Sequence, residues 1–158
     1  MQVNKRFQKL VDKMPGLLQR MAAQPLRTRD NLAGIPEKGI YVFYENNKPI
    51  YVGRSNRMKE RIQEHSRPSS KHTSATFAFL LALNQFKEGG TRRGTPDNLT
   101  RKELEIIPKF NKFFLKEKSR VAEMKIRAVE MDNQIEQTLF EVYAAMALKT
   151  PYNDFKTH

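Results

Sequence analysis

The chain has 158 residues, of which 29 are lysine or arginine and 17 are aspartate or glutamate, so its formal net charge is +12. This length favours one domain with a sizeable core, and the lack of cysteine excludes disulfides and thiolate metal sites and is typical of a reducing, cytoplasmic location. The positive excess is concentrated in residues 1–72, with a net charge of +9, which indicates a polyanionic partner such as nucleic acid. We expect no membrane partner, because the longest apolar run, Phe77–Leu83, is too short to span a bilayer.

The N-terminal segment predicts a helical region followed by a loop. Apolar residues recur at helical spacing from Phe7 to Met21, and Pro15 within this pattern predicts either a kink or a division into two short helices. The segment carries charges and lacks the apolar core of a secretory signal. Proline and glycine residues predict a loop over residues 24–38, so we expect residues 1–35 to form an N-terminal helical extension.

Residues 39–54 predict a β-hairpin. Two runs rich in β-branched and aromatic residues, Gly39–Tyr44 and Pro49–Gly53, flank the polar turn Glu45–Lys48. This hairpin carries the two tyrosines Tyr41 and Tyr51, ten residues apart. Taken alone, tyrosines in a hairpin are more often packing residues than catalytic ones, and both interpretations are open at this point.

A basic helix is predicted directly after the hairpin, with a cap at Ser55 or Asn56 and an end near residue 66. Three basic side chains follow one another at i,i+4 steps on one face of it: Arg57, Arg61 and His65. A helix with arginine and histidine on one stripe beside a sheet edge is able to project both into a cleft. The two tyrosines, Arg61 and His65 therefore predict a phosphate-cleaving site, although His65 also fits a plain helix-surface residue. Arg57 is expected to be a general contact to the phosphates of nucleic acid or solvated charge.

The middle of the chain predicts a helical insertion at about residues 67–120. Its helices are predicted over Thr73–Phe86, Leu99–Ile107 and Lys109–Lys118, with the last two divided at Pro108. A glycine-rich loop is predicted over residues 87–98. The arginines of that loop have two open interpretations, contact with nucleic acid or ordinary solvated charge, and they are Arg92 and Arg93.

The C-terminal part predicts a third strand and a last helix. Val121–Met131 shows partial apolar alternation, and Asp132 or Asn133 is suited to cap a helix over Gln134–Lys149. Few strands among several helices indicate the α+β class. We therefore expect a small, mainly antiparallel three-stranded sheet flanked by helices.

The motif Gly39-Ile40-Tyr41, followed by Tyr51-Val52-Gly53, resembles the signature of the GIY-YIG endonuclease family. The resemblance extends to an arginine on the next helix, here Arg61, and to a histidine one turn later, here His65. It also implies a metal-binding glutamate on a late helix with an asparagine twelve residues beyond, a spacing that Glu141 and Asn153 have. Residues 36–158 would then form the nuclease domain, and residues 134–141 resemble the corresponding helix of the bacterial excision-repair incision subunit.

The resemblance implies a role for each matching residue. Tyr41 would act as general base or position the attacking water, and Tyr51 would contact the scissile phosphate or share the proton relay. Arg61 would clamp the phosphate and stabilise the pentavalent state, while His65 would hydrogen-bond Tyr41 or the phosphate. Glu141 would bind Mg²⁺ or Mn²⁺, which needs few protein carboxylates.

The same resemblance implies additional contacts and a reaction. Asn153 would orient the site or touch the substrate, or serve only as a turn residue at the helix end, and Arg54 would contact phosphate. The implied function is metal-dependent hydrolysis of DNA by direct water attack, with 5′-phosphate and 3′-hydroxyl products. A nucleic-acid-binding module that no longer cuts, and a nuclease acting on RNA, are the alternatives. Glu136, five residues before Glu141, is a rival metal ligand that lacks the twelve-residue step.

Overall fold

The computed structural model describes residues 4–88, 99–153 and Phe155, and these form an α+β fold. The helices run over α1 (Lys5–Ala23), α2 (Met58–Glu64), α3 (Thr76–Glu88), α4 (Arg101–Ile106), α5 (Pro108–Ala122) and α6 (Gln134–Leu148). The strands run over β1 (Arg27–Thr28), β2 (Gly39–Glu45), β3 (Lys48–Ser55) and β4 (Lys125–Glu130). The predicted fold class is confirmed.

The strands form one antiparallel sheet in the order β1-β4-β2-β3. The prediction of three strands holds for β2, β3 and β4, and the structure adds a two-residue strand, Arg27–Thr28, inside the region predicted as a loop. So short a strand has no periodicity of its own, and only pairing with β4 reveals it. Strand β3 pairs on one side alone and is an edge of the described sheet.

The turn between β2 and β3 explains why the hairpin forms where it was predicted. Glu45 pairs with Lys48, so the loop contains two residues, Asn46 and Asn47, with φ values of 50° and 63°. Positive φ at both positions is the type I′ geometry, whose twist matches that of the flanking strands, and asparagine tolerates it well. The predicted hairpin is confirmed.

One face of the sheet is covered by α1 and α6. Residues that alternate along β2 and β3, among them Ile40, Val42 and Val52, share a core cluster with Phe140 of α6 and Met14 of α1. Burying each side chain of this size contributes roughly 1.5–3 kcal/mol. The cluster therefore holds α6 against the hairpin.

Helix α1 is continuous, which corrects the expected division into two short helices. Pro15 lies inside the helix on its exposed side. Asn4 caps the first turn by accepting hydrogen bonds from two backbone amides, and Met14, Leu17 and Met21 are buried. Tertiary packing of this apolar face offsets the hydrogen bond that proline removes.

The strand predicted over Val121–Met131 begins later, at Lys125, which is a second correction. Val121 belongs to α5, where it extends a buried face at spacings of three and four residues, together with Phe110, Phe114 and Glu117. Valine favours strands by propensity, but packing on this helical face overrides that preference. The insertion helices otherwise begin one to three residues from the predicted positions.

The chain forms two compact units, the first made of Met1–Lys59 with Met124–His158 and the second of Glu60–Glu123. The first contains the sheet with α1 and α6. The second is helical, and its core is a cluster of aromatic rings, with Phe79 and Phe110 at a centroid separation of 5.0 Å. The boundaries expected for the N-terminal extension and the insertion, residues 1–35 and 67–120, stay a prediction.

Candidate active site

The two motif tyrosines lie on the same face of the hairpin. Tyr41 is 1 % exposed, and Tyr51, on the edge strand, is half-buried. Phe43 lies between them, with ring centroids 5.6 Å from Tyr41 and 6.4 Å from Tyr51. Because side chains alternate along a strand, this face is the one opposite to the core cluster that α6 covers.

The glycines of both motifs are explained by close approach of other groups. A Cβ atom at Gly53, which pairs with Tyr41, would lie 2.4 Å from the Tyr41 hydroxyl oxygen. At Gly39, where φ is 144°, a Cβ atom would lie 2.0 Å from the Val129 carbonyl oxygen. Only glycine lets the Tyr41 ring lie flat over β3 and lets β2 approach β4 at this point.

The carboxylate of Glu141, on α6, is bound by an arginine of the edge strand. Arg54 Nε lies 2.9 Å from Glu141 Oε2, and Arg54 Nη1 donates to Thr138 Oγ1 at 3.1 Å. Burial raises the pKa of the Glu141 carboxyl above its usual value, while the Arg54 guanidinium opposes that shift. The sequence predicted a phosphate contact for Arg54, and in this structure its partners are α6 side chains.

Arg54 and Glu141 lie on the α6 side of the sheet. Arg54 pairs with Ile40 across the hairpin, and Ile40 faces the core cluster. The tyrosines and the Arg54–Glu141 pair are therefore on opposite faces of the sheet.

Asn153 completes the free edge of β3. Its side-chain amide donates to the Val52 carbonyl oxygen at 2.8 Å and accepts from the Val52 amide at 2.8 Å. Thr150 Oγ1 donates to Asn153 Oδ1 at 2.8 Å. The amide thus occupies the place of a neighbouring strand and ties the end of α6 to the middle residue of the Tyr51-Val52-Gly53 motif.

The second unit carries the other two predicted catalytic residues, Arg61 and His65. Arg61 Nη1 donates to the Ser74 carbonyl oxygen at 2.7 Å, and Nη2 donates to Thr76 Oγ1 at 3.0 Å. A third contact joins Nη1 to the Glu64 carboxylate at 3.5 Å. The guanidinium is thereby held in one orientation.

His65 is fully buried, which excludes the interpretation as a helix-surface residue. Burial, with a smaller effect from Arg61, lowers the pKa of the imidazole well below its ordinary value of 6.5. The Phe77 backbone amide donates to His65 Nδ1 at 3.5 Å. A neutral ring that accepts at Nδ1 carries its proton on Nε2, so Nε2 is the donor of this side chain.

The other predicted contacts with nucleic acid are Arg57, Arg92 and Arg93. Arg57 is exposed, and its backbone amide donates to Ser55 Oγ at 3.0 Å, as a turn residue before α2 would. Arg92 and Arg93 lie outside the described residues.

The sequence model of the GIY-YIG catalytic domain matches residues 37–125, which is more than half of the chain. The chain belongs to the GIY-YIG family. It therefore has a nuclease fold, and the family implies endonuclease activity, a hydrolase reaction, on a nucleic acid. The matched range contains both tyrosines, Arg61 and His65 but ends before Glu141 and Asn153.

No curated protein and no solved structure matches the chain. Within the described residues, no helix has the length and apolar character needed to cross a membrane.

Glu141, the predicted metal ligand, does not belong to a cluster of carboxylates among the described residues. No group of three or more His, Cys, Asp or Glu side chains in the described ranges is arranged to hold an ion. Glu141 Oε2 contacts Arg54, and Oε1 has no hydrogen-bond partner among the described residues. One open carboxylate oxygen fits Mg²⁺, which keeps several of its waters.

Glu136, the rival metal ligand considered from the sequence, has a different environment. Glu136 Oε1 lies 3.3 Å from Lys13 Nζ, and both residues line a cleft of about 700 Å³ formed by α1 and residues 130–136. None of the predicted catalytic residues lines this cleft. Glu136 is thus explained by its ion pair with α1.

Sequence reasoning missed a polar seam between α6 and the end of β3. Asn56 Oδ1 accepts hydrogen bonds from Gln134 at 2.8 Å and from Gln137 at 3.3 Å, and the buried Gln137 also donates to the Met131 carbonyl oxygen at 2.6 Å. Four polar residues share this helix face at spacings of three and four: Gln134, Gln137, Thr138 and Glu141. That spacing was the available signal, since a helix face turned only to an apolar core would not show it.

Proposed function

We propose that this protein is a Mg²⁺-dependent endonuclease that hydrolyses phosphodiester bonds of DNA. The observation that carries the proposal is the partly buried Glu141 carboxylate, held by Arg54 at the strand edge that bears the Tyr51-Val52-Gly53 motif. Charged groups at one edge of a nuclease fold favour a reaction in which charge develops on phosphate. The net charge of +12 supports a nucleic-acid substrate, and DNA is the substrate that the resemblance to the family implies.

In this proposal the scissile phosphate lies along the free edge of β3, where the two faces of the sheet meet. Glu141 would hold Mg²⁺ or Mn²⁺ through its carboxylate. The bound ion would supply charge neutralisation and acidify a coordinated water. Arg54 leaves Glu141 for a phosphate oxygen, because a guanidinium binds either anion in the same forked geometry.

The tyrosines and the residues of the second unit supply positioning and proton transfer. Tyr51, half-buried on the edge strand, orients the phosphate or the attacking water, and Tyr41 positions that water or, in its phenolate form, accepts the proton of that water. Arg61 stabilises the pentavalent phosphorane, and its hydrogen bonds to Ser74 and Thr76 keep its orientation before substrate arrives. The resemblance implies for His65 a hydrogen bond to Tyr41 or to the phosphate, and Nε2–H is the donor that it would use.

The test is cleavage of supercoiled plasmid and of branched DNA by the purified chain, with Mg²⁺ or with EDTA. We expect Mg²⁺-dependent nicking, and a loss of at least about a hundredfold in rate for Glu141→Ala, in line with removal of transition-state charge stabilisation. Glu136→Ala is the matched control, since it removes a carboxylate from the same helix without touching Arg54.

Several results would contradict the proposal. Wild-type protein that binds DNA but never nicks it would identify a binding module that no longer cuts. Equal rates for Glu141→Ala and Glu136→Ala would remove the metal role of Glu141. Cleavage of RNA in a parallel reaction, without cleavage of DNA, would reassign the substrate.

A further inference from the structure

Helix α5 of the second unit presents a row of lysines on its outer face. Lys109, Lys112 and Lys116 are exposed and follow one another at spacings of three and four residues. At about 100° per residue these side chains fall within an arc of roughly 60°. Phe110 and Phe114 occupy the opposite, buried side, where both rings contact Phe79.

The positive charge of this row is not neutralised within the described part of the second unit. None of the three lysines forms an ion pair with a described residue, and no acidic residue occurs between Glu105 and Glu117. Most glutamates of the unit already have partners. Those pairs are Glu64 with Arg61, Glu103 with Thr100, Glu105 with His72 and Glu117 with Arg120.

Local helix stability does not account for the row. Lys109 lies in the first turn of α5, and that turn contains no acidic residue. A cation is unfavourable there because the helix N-terminus already carries partial positive charge. Helix α4 shows the favourable arrangement instead, with Glu103 in its first turn forming a capping box with Thr100.

We propose that the row Lys109, Lys112 and Lys116 binds the phosphate backbone of the nucleic acid. The inference rests on the proposed function only in taking nucleic acid as the ligand. From Lys109 to Lys116 the helix rises about 10 Å, comparable with about three phosphates of one strand at roughly 3.4 Å each. The helical insertion thus contributes sequence-independent affinity, whereas the chemistry belongs to the motif residues.

The test compares two variants of the full chain that lose the same charge. Lys112→Gln with Lys116→Gln removes two exposed lysines at an i,i+4 step on α5, and Lys5→Gln with Lys9→Gln does the same on α1. Binding of a fluorescein-labelled DNA duplex of about 20 base pairs is measured by anisotropy in EDTA over a salt series. We expect the α5 variant to lose at least about tenfold in affinity near 0.1 M salt and its salt slope to fall by roughly 1.8.

The α1 variant should bind like wild type within about twofold. Equal weakening of both variants, or no weakening of the α5 variant, would overturn the inference. An RNA duplex of the same sequence shows which backbone the row prefers. Circular dichroism melting should give both variants the wild-type transition, since the substituted side chains are exposed.

The cleavage assay separates this inference from the proposed function. If wild type never cuts but the α5 variant loses affinity, the lysine row stands and the endonuclease proposal fails. If wild type cuts and the α5 variant binds as tightly as the α1 variant, the lysine row fails and the endonuclease proposal stands.

Discussion

Two regions of this molecule each carry an arginine with a proposed role in phosphate binding, and they hold it in different ways. At the edge of β3, Arg54 is 42 % exposed in its side chain and forms an ion pair with Glu141. On α2, Arg61 is 22 % exposed in its side chain, and its two shortest contacts are with the neutral oxygens of Ser74 and Thr76.

The difference indicates how each arginine meets an anion. The charge of Arg54 is already neutralised by a carboxylate, so a phosphate or a metal must first displace one partner of the pair. Arg61 is oriented mainly by neutral groups, with the Glu64 carboxylate farther away at 3.5 Å, and so keeps more of its positive potential. An oriented cation that needs no rearrangement contributes most to transition-state stabilisation.

The largest expected effect is on the cleavage rate and comes from substitution of Arg61, the arginine that we expect to contribute more to catalysis. Arg61→Lys should lower the single-turnover cleavage rate by about a hundredfold or more, because lysine cannot replace a forked donor held at two points. Arg54→Lys should cost about tenfold or less, since an ammonium still pairs with Glu141 and with phosphate.

Rates measured at saturating enzyme, with melting temperatures recorded alongside, check this order. A greater loss for Arg54→Lys than for Arg61→Lys would reverse the comparison and make the edge arginine the principal phosphate ligand.

An intermediate effect, on the free energy of unfolding, is expected from a substitution in β3, the strand that carries Arg54. Gly53→Ala places a Cβ atom 2.4 Å from the Tyr41 hydroxyl oxygen, so the ring or β3 must move. We expect the free energy of unfolding to fall by about 1–3 kcal/mol. Urea denaturation monitored by circular dichroism measures this change.

Gly16→Ala is the matched control, since a Cβ atom at that position in α1 meets nothing within 4 Å. Alanine should stabilise the helix interior there by about 0.5–1 kcal/mol. Equal destabilisation by both substitutions would show that Tyr41 is not fixed against Gly53.

The smallest expected effect is on the pH dependence of stability, and it comes from His65, which lies in the same region as Arg61. Burial depresses the pKa of His65 in the folded state, so the unfolded chain takes up the proton first as the pH falls. The stability contributed by the neutral ring is complete above about pH 6.5 and is lost progressively below it. His65→Asn keeps an acceptor for the Phe77 amide and should flatten this loss.

Urea unfolding of wild type and His65→Asn at several values between about pH 5 and 8 provides the measurement. The two stability curves should diverge only on the acidic side. Parallel curves across the whole range would mean that folding does not lower the pKa of His65.

Much of the hairpin could be predicted from sequence because its determinants are local. Asn46 and Asn47 specify the turn, and the apolar runs on each side specify the strands. The spacing between Glu141 and Asn153 also indicated in advance two residues that the structure ties to the same strand, β3.

Other features depended on partners distant in sequence. The short strand β1 exists through its pairing with β4, and α1 continues through Pro15 because its buried face packs on the sheet. Val121 joined a helix rather than a strand for the same reason, since packing energy exceeds the small differences in local propensity.

By itself the sequence determined the α+β class, the hairpin and the family. Tertiary structure alone decided that Glu141 binds Arg54, that the tyrosines lie on the other face of the sheet and that His65 is buried and neutral. The physical reason is that motif spacing follows from local chain geometry. Ion pairing, burial and protonation depend on groups that only the folded chain brings into contact.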